Sequence, residues 1–96
     1  SVIALDYLEH TKLESSQDAQ AVRGVGDQCL LLSGLFPQRI LKKNVSLHYI
    51  VGMGKQAYHQ ISTAKMLIGH DCTLFYLLYE NFVGLMDLLY HMRNQK

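Results

Sequence analysis

CTLFYLLYENFVGLMDLLYHMR, residues 72–93, is the stretch that decides how this 96-residue chain folds. Phe75, Leu78, Phe82, Leu85, Leu89 and Met92 recur at alternating steps of three and four, the seam of a helix that packs against others. A second stripe, Tyr76, Tyr79, Val83, Met86 and Tyr90, runs beside it at about 100° per residue. Thr73, Glu80, Gly84, Asp87 and His91 form the only polar strip, so about two-thirds of the circumference is apolar. The spacing predicts one continuous helix over 72–93, with Gly69 and His70 in a loop before it and Asp71 as its N-cap. A helix apolar over most of its circumference must be covered over most of it.

The same period governs the rest of the chain. A helix runs from a Ser46 cap to about Lys65, with Ile50, Met53, Ala57, Ile61 and Ala64 facing inward. Its other side, carrying His48, Lys55, Gln56, His59 and Thr63, is expected in water. Residues 37–43 make a short helix opened by Pro37 and ending near Asn44. Residues 17–36 make a long one behind a Ser15–Ser16 cap, with Asp18 near its positive end. In that helix Val22, Val25, Cys29, Leu32 and Phe36 form the seam, widened by Ala21, Leu30, Leu31 and Leu35. Gln20, Arg23 and Asp27 stay polar. Gly24, Gly26 and Gly34 each cost helix stability, roughly 1 kcal/mol relative to Ala, and are expected to admit a close neighbouring helix. Residues 2–13 form the first helix, with Ala4, Tyr7, Leu8 and Thr11 opposite Asp6, Glu9, His10 and Lys12. Convincing period-2 alternation is missing. The reading is all-α: four main helices plus one short helix, bundle-like, one domain over 1–96.

Composition bears on partners. Hydrophobic residues are 49% of the chain and charged ones 18%, against about 25% charged in an average globular protein. A chain this short hides only roughly 60–70% of its unfolded surface. Two long helices with surplus apolar circumference therefore predict a homodimer through Tyr76, Tyr79, Val83, Met86 and Tyr90, symmetric pairing being the commonest kind. Burying half the tyrosine stripe, on the order of 200–300 Å², contributes several kcal/mol at about 25 cal/mol/Å². A different protein partner would serve equally well.

Net charge of +1 is too small for a global field that attracts nucleic acid or anionic lipid. The longest apolar runs, around Cys29–Leu32 and Leu74–Tyr79, reach about a third of the 18 residues that a membrane span needs, so no membrane insertion is expected. Residues 1–13 carry Asp6, Glu9 and Lys12, unlike a secretion signal. Cys29 and Cys72 lie in apolar stretches and read as reduced, buried thiols. These features point to a cytoplasmic location.

The chemistry-bearing patterns are weak. Arg39, Lys42 and Lys43 cluster on the short helix, with Lys55 near them, and are the candidate anion contact; a solvated connector explains them equally. Asp6/His10 and Asp87/His91 are carboxylate–imidazole pairs at i,i+4, as a general base requires, but no nucleophile accompanies them and surface pairing suffices. Three glutamates without a Glu-x-x-His exclude a di-iron bundle. His48 and His59 share a face about 16 Å apart, too far for one ion, and Asp71 of His70-Asp71-Cys72 reads as a cap. Arg23-Gly-Val-Gly-Asp27 lies inside a helical pattern, without the strand or third glycine of a phosphate turn. Arg23 and Asp27 instead fit an i,i+4 ion pair. The expectation is no catalytic residue, no metal and no cofactor.

The run Val25-Gly-Asp-Gln-Cys-Leu-Leu-Leu-Ser-Gly-Leu-Phe-Pro37, with Val45, Tyr49, Met53-Gly54, Ala57-Tyr58 and Glu80-Asn-Phe-Val through Leu89, resembles a group of uncharacterised small all-helical bacterial proteins. The resemblance implies a bacterial, cytoplasmic, all-α protein and no particular reaction. Taken with the apolar surplus, it leaves a non-enzymatic interaction or regulatory module acting as a homodimer. One alternative is a small-ligand or acyl-chain binding bundle, for which Met53, Met66, Met86 and Met92 supply adaptable walls. The other is weak nucleic-acid binding through the basic connector.

Overall fold

A computed structural model describes Leu13, residues 15–64 and residues 70–95. These form five α-helices: α1 (Ser16–Leu35), α2 (Pro37–Lys42), α3 (Leu47–Ser62), α4 (His70–Glu80) and α5 (Phe82–Asn94). No strand occurs among the described residues. The helix expected over 2–13 lies outside them, Leu13 apart.

The starts and stops follow local chemistry. Ser15 Oγ accepts from the Asp18 amide at 3.1 Å and opens α1; Ser46 Oγ accepts from the Tyr49 amide at 3.3 Å and opens α3. Each satisfies an amide that has no partner within the first turn. Pro37 starts α2 where a missing N–H costs nothing. After α2, Asn44 takes φ 56°, the left-handed region that Asn tolerates. The α3 helix stops at Ser62 rather than reaching Lys65. There the Ser62 and Thr63 hydroxyls both donate to the His59 carbonyl, at 2.7 and 3.3 Å, competing with the backbone for its last turn.

The largest departure from the sequence reading lies in 72–93. The helix begins at His70, which puts Asp71 in its first turn rather than at its cap. It then breaks at Asn81, where α4 and α5 diverge by 72°. Asn81 sits at φ −105°, ψ 16°, and its side-chain Nδ2 donates to the Leu77 carbonyl at 2.9 Å, alongside its own amide at 2.9 Å. An Asn side chain bonded to its own helix backbone is a recognised cause of a kink. The bend lets α4 lie on α3 while α5 lies on α1.

Tyr58, 1% exposed, is the largest fully buried side chain. Its ring centroid is 6.0 Å from that of Phe75 on α4 and 5.9 Å from that of Phe82 on α5. Its hydroxyl donates to Asp27 Oδ1 on α1 at 2.5 Å, and Arg23 Nε holds Asp27 Oδ2 at 3.5 Å. The expected Arg23–Asp27 pair is thus present, inside a helix. Around this centre pack Val22, Cys29, Ala57 and Ile61.

Close helix approach depends on three glycines. A Cβ at Gly26 would fall 2.7 Å from Tyr58 Cε1, one at Gly54 2.5 Å from Phe82 Cζ and 2.8 Å from Cys29 Cβ, and one at Gly34 2.8 Å from Leu89 Cβ. Gly24 faces open space, so it does not serve as expected. These contacts rotate the buried face of α1 by about one residue, to Ala19, Val22, Gly26, Cys29 and Ser33. Val25, Leu32 and Phe36 are left half-buried. The α3 side expected in water is partly covered: Lys55, Gln56 and His59 are half-buried. Lys55 Nζ lies 5.6 Å from the centre of the Tyr79 ring, and the His59 ring meets the same ring at 4.9 Å, tilted by 58°.

Two outcomes follow for stability in urea. Gly54→Ala is expected to lower it by about 1–3 kcal/mol through overpacking, whereas Gly24→Ala and Gly52→Ala, both open to space, should raise it by about 0.5–1 kcal/mol each. The second concerns alkali. Burial pushes the Cys29 thiol up to about 11; burial, then the bond to Asp27, raises the Tyr58 hydroxyl far above its ordinary value. The unfolded chain releases both protons sooner, so stability is full below about pH 9 and then falls by about 1.4 kcal/mol per pH unit per group, between about pH 9 and 11 for Cys29 and from about pH 10 upward for Tyr58. Tyr58→Phe should flatten the part of that fall above about pH 10, measured by unfolding at a series of pH values.

Candidate functional site

The outer surface of α4 and α5 mixes exposed apolar side chains with Thr73, Glu80, Asn81, Asp87 and His91. Leu74, Tyr76, Leu77, Val83, Leu88, Tyr90 and Met92 are each between 41 and 59% exposed. Large apolar side chains exposed in this number on two successive helices are the material of an interaction surface. The inner faces of the two helices are occupied by Phe75 and Phe82 against Tyr58.

The five residues expected at a self-interface divide. Tyr76, Val83 and Tyr90 face outward, while Tyr79 and Met86 are half-buried against the core cluster. The bend also places Tyr76 and Tyr79 on one helix and the other three on the next. The Tyr76 hydroxyl donates to Glu80 Oε1 at 2.5 Å, and that bond and the carboxylate charge raise its pKa. Met92, placed by its spacing in the packed seam, is 59% exposed, because the bend turns the end of α5 away from α4. Leu74, Leu77 and Leu88 belong to neither predicted stripe, yet they are the most exposed leucines of α4 and α5. Their signal was present: Leu74, Leu77, Asn81, Gly84 and Leu88 repeat at steps of three and four, a third stripe exposed throughout.

No single helix among the described residues is long and apolar enough to cross a membrane; α4 and α5 reach that length only as a bent pair.

The basic residues gather at a second place. Arg39, Lys42 and Lys43 are all exposed and rim a cavity of about 310 Å³ between α1, α2 and α3, whose remaining walls are Leu32, Ile40, Val45 and Ile50. Lys55 is not part of it, being held over Tyr79. The Arg39 guanidinium lies 4.6 Å above the Phe36 ring and that of Arg93 5.5 Å from it. Arg93 Nη1 also donates to Gln38 Oε1 at 3.2 Å, so the end of α5 is tied to α2. Another cavity, of about 250 Å³, carries both signs of charge, Arg23 and Asp71, beside Ala19, Ile61 and Phe75.

Groups suited to catalysis or metal binding do not converge. His91 Nδ1 donates to the Asp87 backbone carbonyl at 2.7 Å rather than to its carboxylate. The Asp6/His10 pair lies outside the described residues. His48 is exposed and His59 packs at a tilt against Tyr79. Among the described residues no three His, Cys, Asp or Glu side chains are grouped to hold a metal ion. Cys29 is buried and Cys72, expected buried, is half-buried; neither is in a disulfide. Compared with protein-family models, curated proteins and solved structures, the chain matches none.

Proposed function

We propose that this protein is a non-enzymatic interaction module that works as a homodimer through the outer face of α4 and α5. The observation that carries the reading is the exposed apolar surface of Leu74, Tyr76, Leu77, Val83, Leu88, Tyr90 and Met92. A stable interface of ordinary size buries ~800 Å² per partner, to which these side chains would contribute the apolar anchors. Isolated in water, that surface lacks the apolar cover that the inner faces of the same helices receive from Tyr58 and its neighbours.

Charge supports a second copy as the occupant. The outward side of α5 carries Asp87 nearer its start and His91 in its last turn. Antiparallel pairing of α5 with its copy would set Asp87 of each chain near the partner's His91, a carboxylate within reach of an imidazole at both ends. A rim of one sign would repel its own copy. Tyr76 and Tyr90 suit such a face, each offering a broad apolar ring with a hydroxyl that stays hydrated at the edge.

Light scattering at micromolar concentration should give about twice the chain mass of 10.9 kDa. Leu88→Glu with Tyr90→Glu should shift the dissociation constant by more than tenfold and yield monomers of unchanged helicity, since both side chains are exposed. A folded wild-type monomer at that concentration would contradict the reading.

A further inference from the structure

We infer that the cavity between α1, α2 and α3 is a binding site for a single-chain anionic amphiphile, a medium-chain fatty carboxylate. The inference rests on features separate from the α4–α5 face and stands whether or not the protein pairs with itself.

The first feature is the shape and chemistry of the walls. Leu32 from α1, Ile40 from α2, Val45 from the connection and Ile50 from α3 supply an aliphatic lining, with Ile40 buried at the base. Among the described residues no aromatic, amide or carboxylate side chain takes part in that lining. An aliphatic slot of about 310 Å³ is at the small end of ligand pockets and holds one chain of about eight to ten carbons. Two chains of a phospholipid would not fit, which favours a free monoacyl anion over a lipid in a bilayer.

The second feature is the charge at the mouth. Among the described residues Arg39, Lys42 and Lys43 are the only polar ones in the lining, and all three are cationic and exposed. Nothing nearby in sequence neutralises them. From Gln28 to His70 the chain has no Asp or Glu, while it carries Arg39, Lys42, Lys43, Lys55 and Lys65. The near-neutral total of +1 conceals this segregation. Arg39 is held over Phe36 and so approaches an anion from a fixed direction. The two lysines are flexible point charges that close over it. An apolar slot under three cations that have no ion pair among the described residues is complementary to a chain that ends in a carboxylate, and to neither half of that molecule alone.

Titration calorimetry of the full chain with sodium decanoate, below the concentration at which it forms micelles, tests this. Three further probes separate the sources of binding: 1-decanol has the chain without the charge, inorganic phosphate has a charge without the chain, and phosphatidylglycerol vesicles present the anion in a bilayer. The expected result is saturable one-to-one binding of decanoate, with decanol and phosphate each at least tenfold weaker and vesicles not bound. Reversing the rim with Arg39→Glu, Lys42→Glu and Lys43→Glu should weaken decanoate at least tenfold at unchanged helicity and melting temperature. Val45→Phe, which narrows the slot, should weaken decanoate more than acetate. The inference is overturned if decanoate fails to saturate. It is equally overturned if decanol binds as tightly and the reversed rim leaves the affinity unchanged, or if phosphate or vesicles alone account for the binding.

Discussion

The fold hangs on the seating of Tyr58. Its ring rests where Gly26 leaves α1 without a side chain, its hydroxyl reaches Asp27, and its two faces of contact are Phe75 and Phe82 from helices on either side of a bend. Four of the five helices thereby meet at one residue. A buried phenol is costly unless its hydroxyl is bonded; the Asp27 carboxylate supplies that bond from the partly exposed edge of α1, where it also stays hydrated and holds Arg23. The bend at Asn81 belongs to the same arrangement, since it brings Phe75 and Phe82 to the same ring while sending α4 along α3 and α5 along α1.

That arrangement uses the apolar residues unevenly. The inner sides of α4 and α5 are consumed by the aromatic centre, and α3, not the final helix, becomes the most covered element. The Cα envelope measures only 18 Å in its shortest direction, room for about two layers of helices at 8–10 Å spacing. In a body that thin, a helix with three apolar stripes keeps at least one of them outside. The outer ridge of Leu74, Leu77 and Leu88 follows from this, and so does the proposed pairing. The short α2 helix closes the other side of α1 and, by arching over Leu32 and Ile50, leaves the small aliphatic slot under its basic residues.

Much of this was legible in the residues and some was not. Ser15, Pro37, Asn44 and Ser46 marked their boundaries because capping and turn chemistry act within a few residues. The Arg23–Asp27 pair was legible for the same reason. Helical periodicity found the core side of α4 and α5 through Phe75 and Phe82. It missed the bend, because an Asn side chain turning back onto Leu77 leaves no mark on hydrophobic spacing. Once that bend is absent from the reading, Met92 lands in the seam and the tyrosines look like one continuous stripe. The role of Gly54 was also hidden: its use is set by Phe82 and Cys29, which are distant in sequence. The basic cleft was half visible, as three cations on one short helix, but the aliphatic walls that give them a use come from three separate elements.

The most direct test of the Tyr58 seating is a double-mutant cycle on unfolding free energy, with Tyr58→Phe, Asp27→Ala and both together. Because the Asp27 side chain keeps 45% of its exposure, the account predicts a coupling of about 1–2 kcal/mol, at the lower end for a hydrogen bond to a charged group. Losses that simply add, to within about 0.5 kcal/mol, would contradict it.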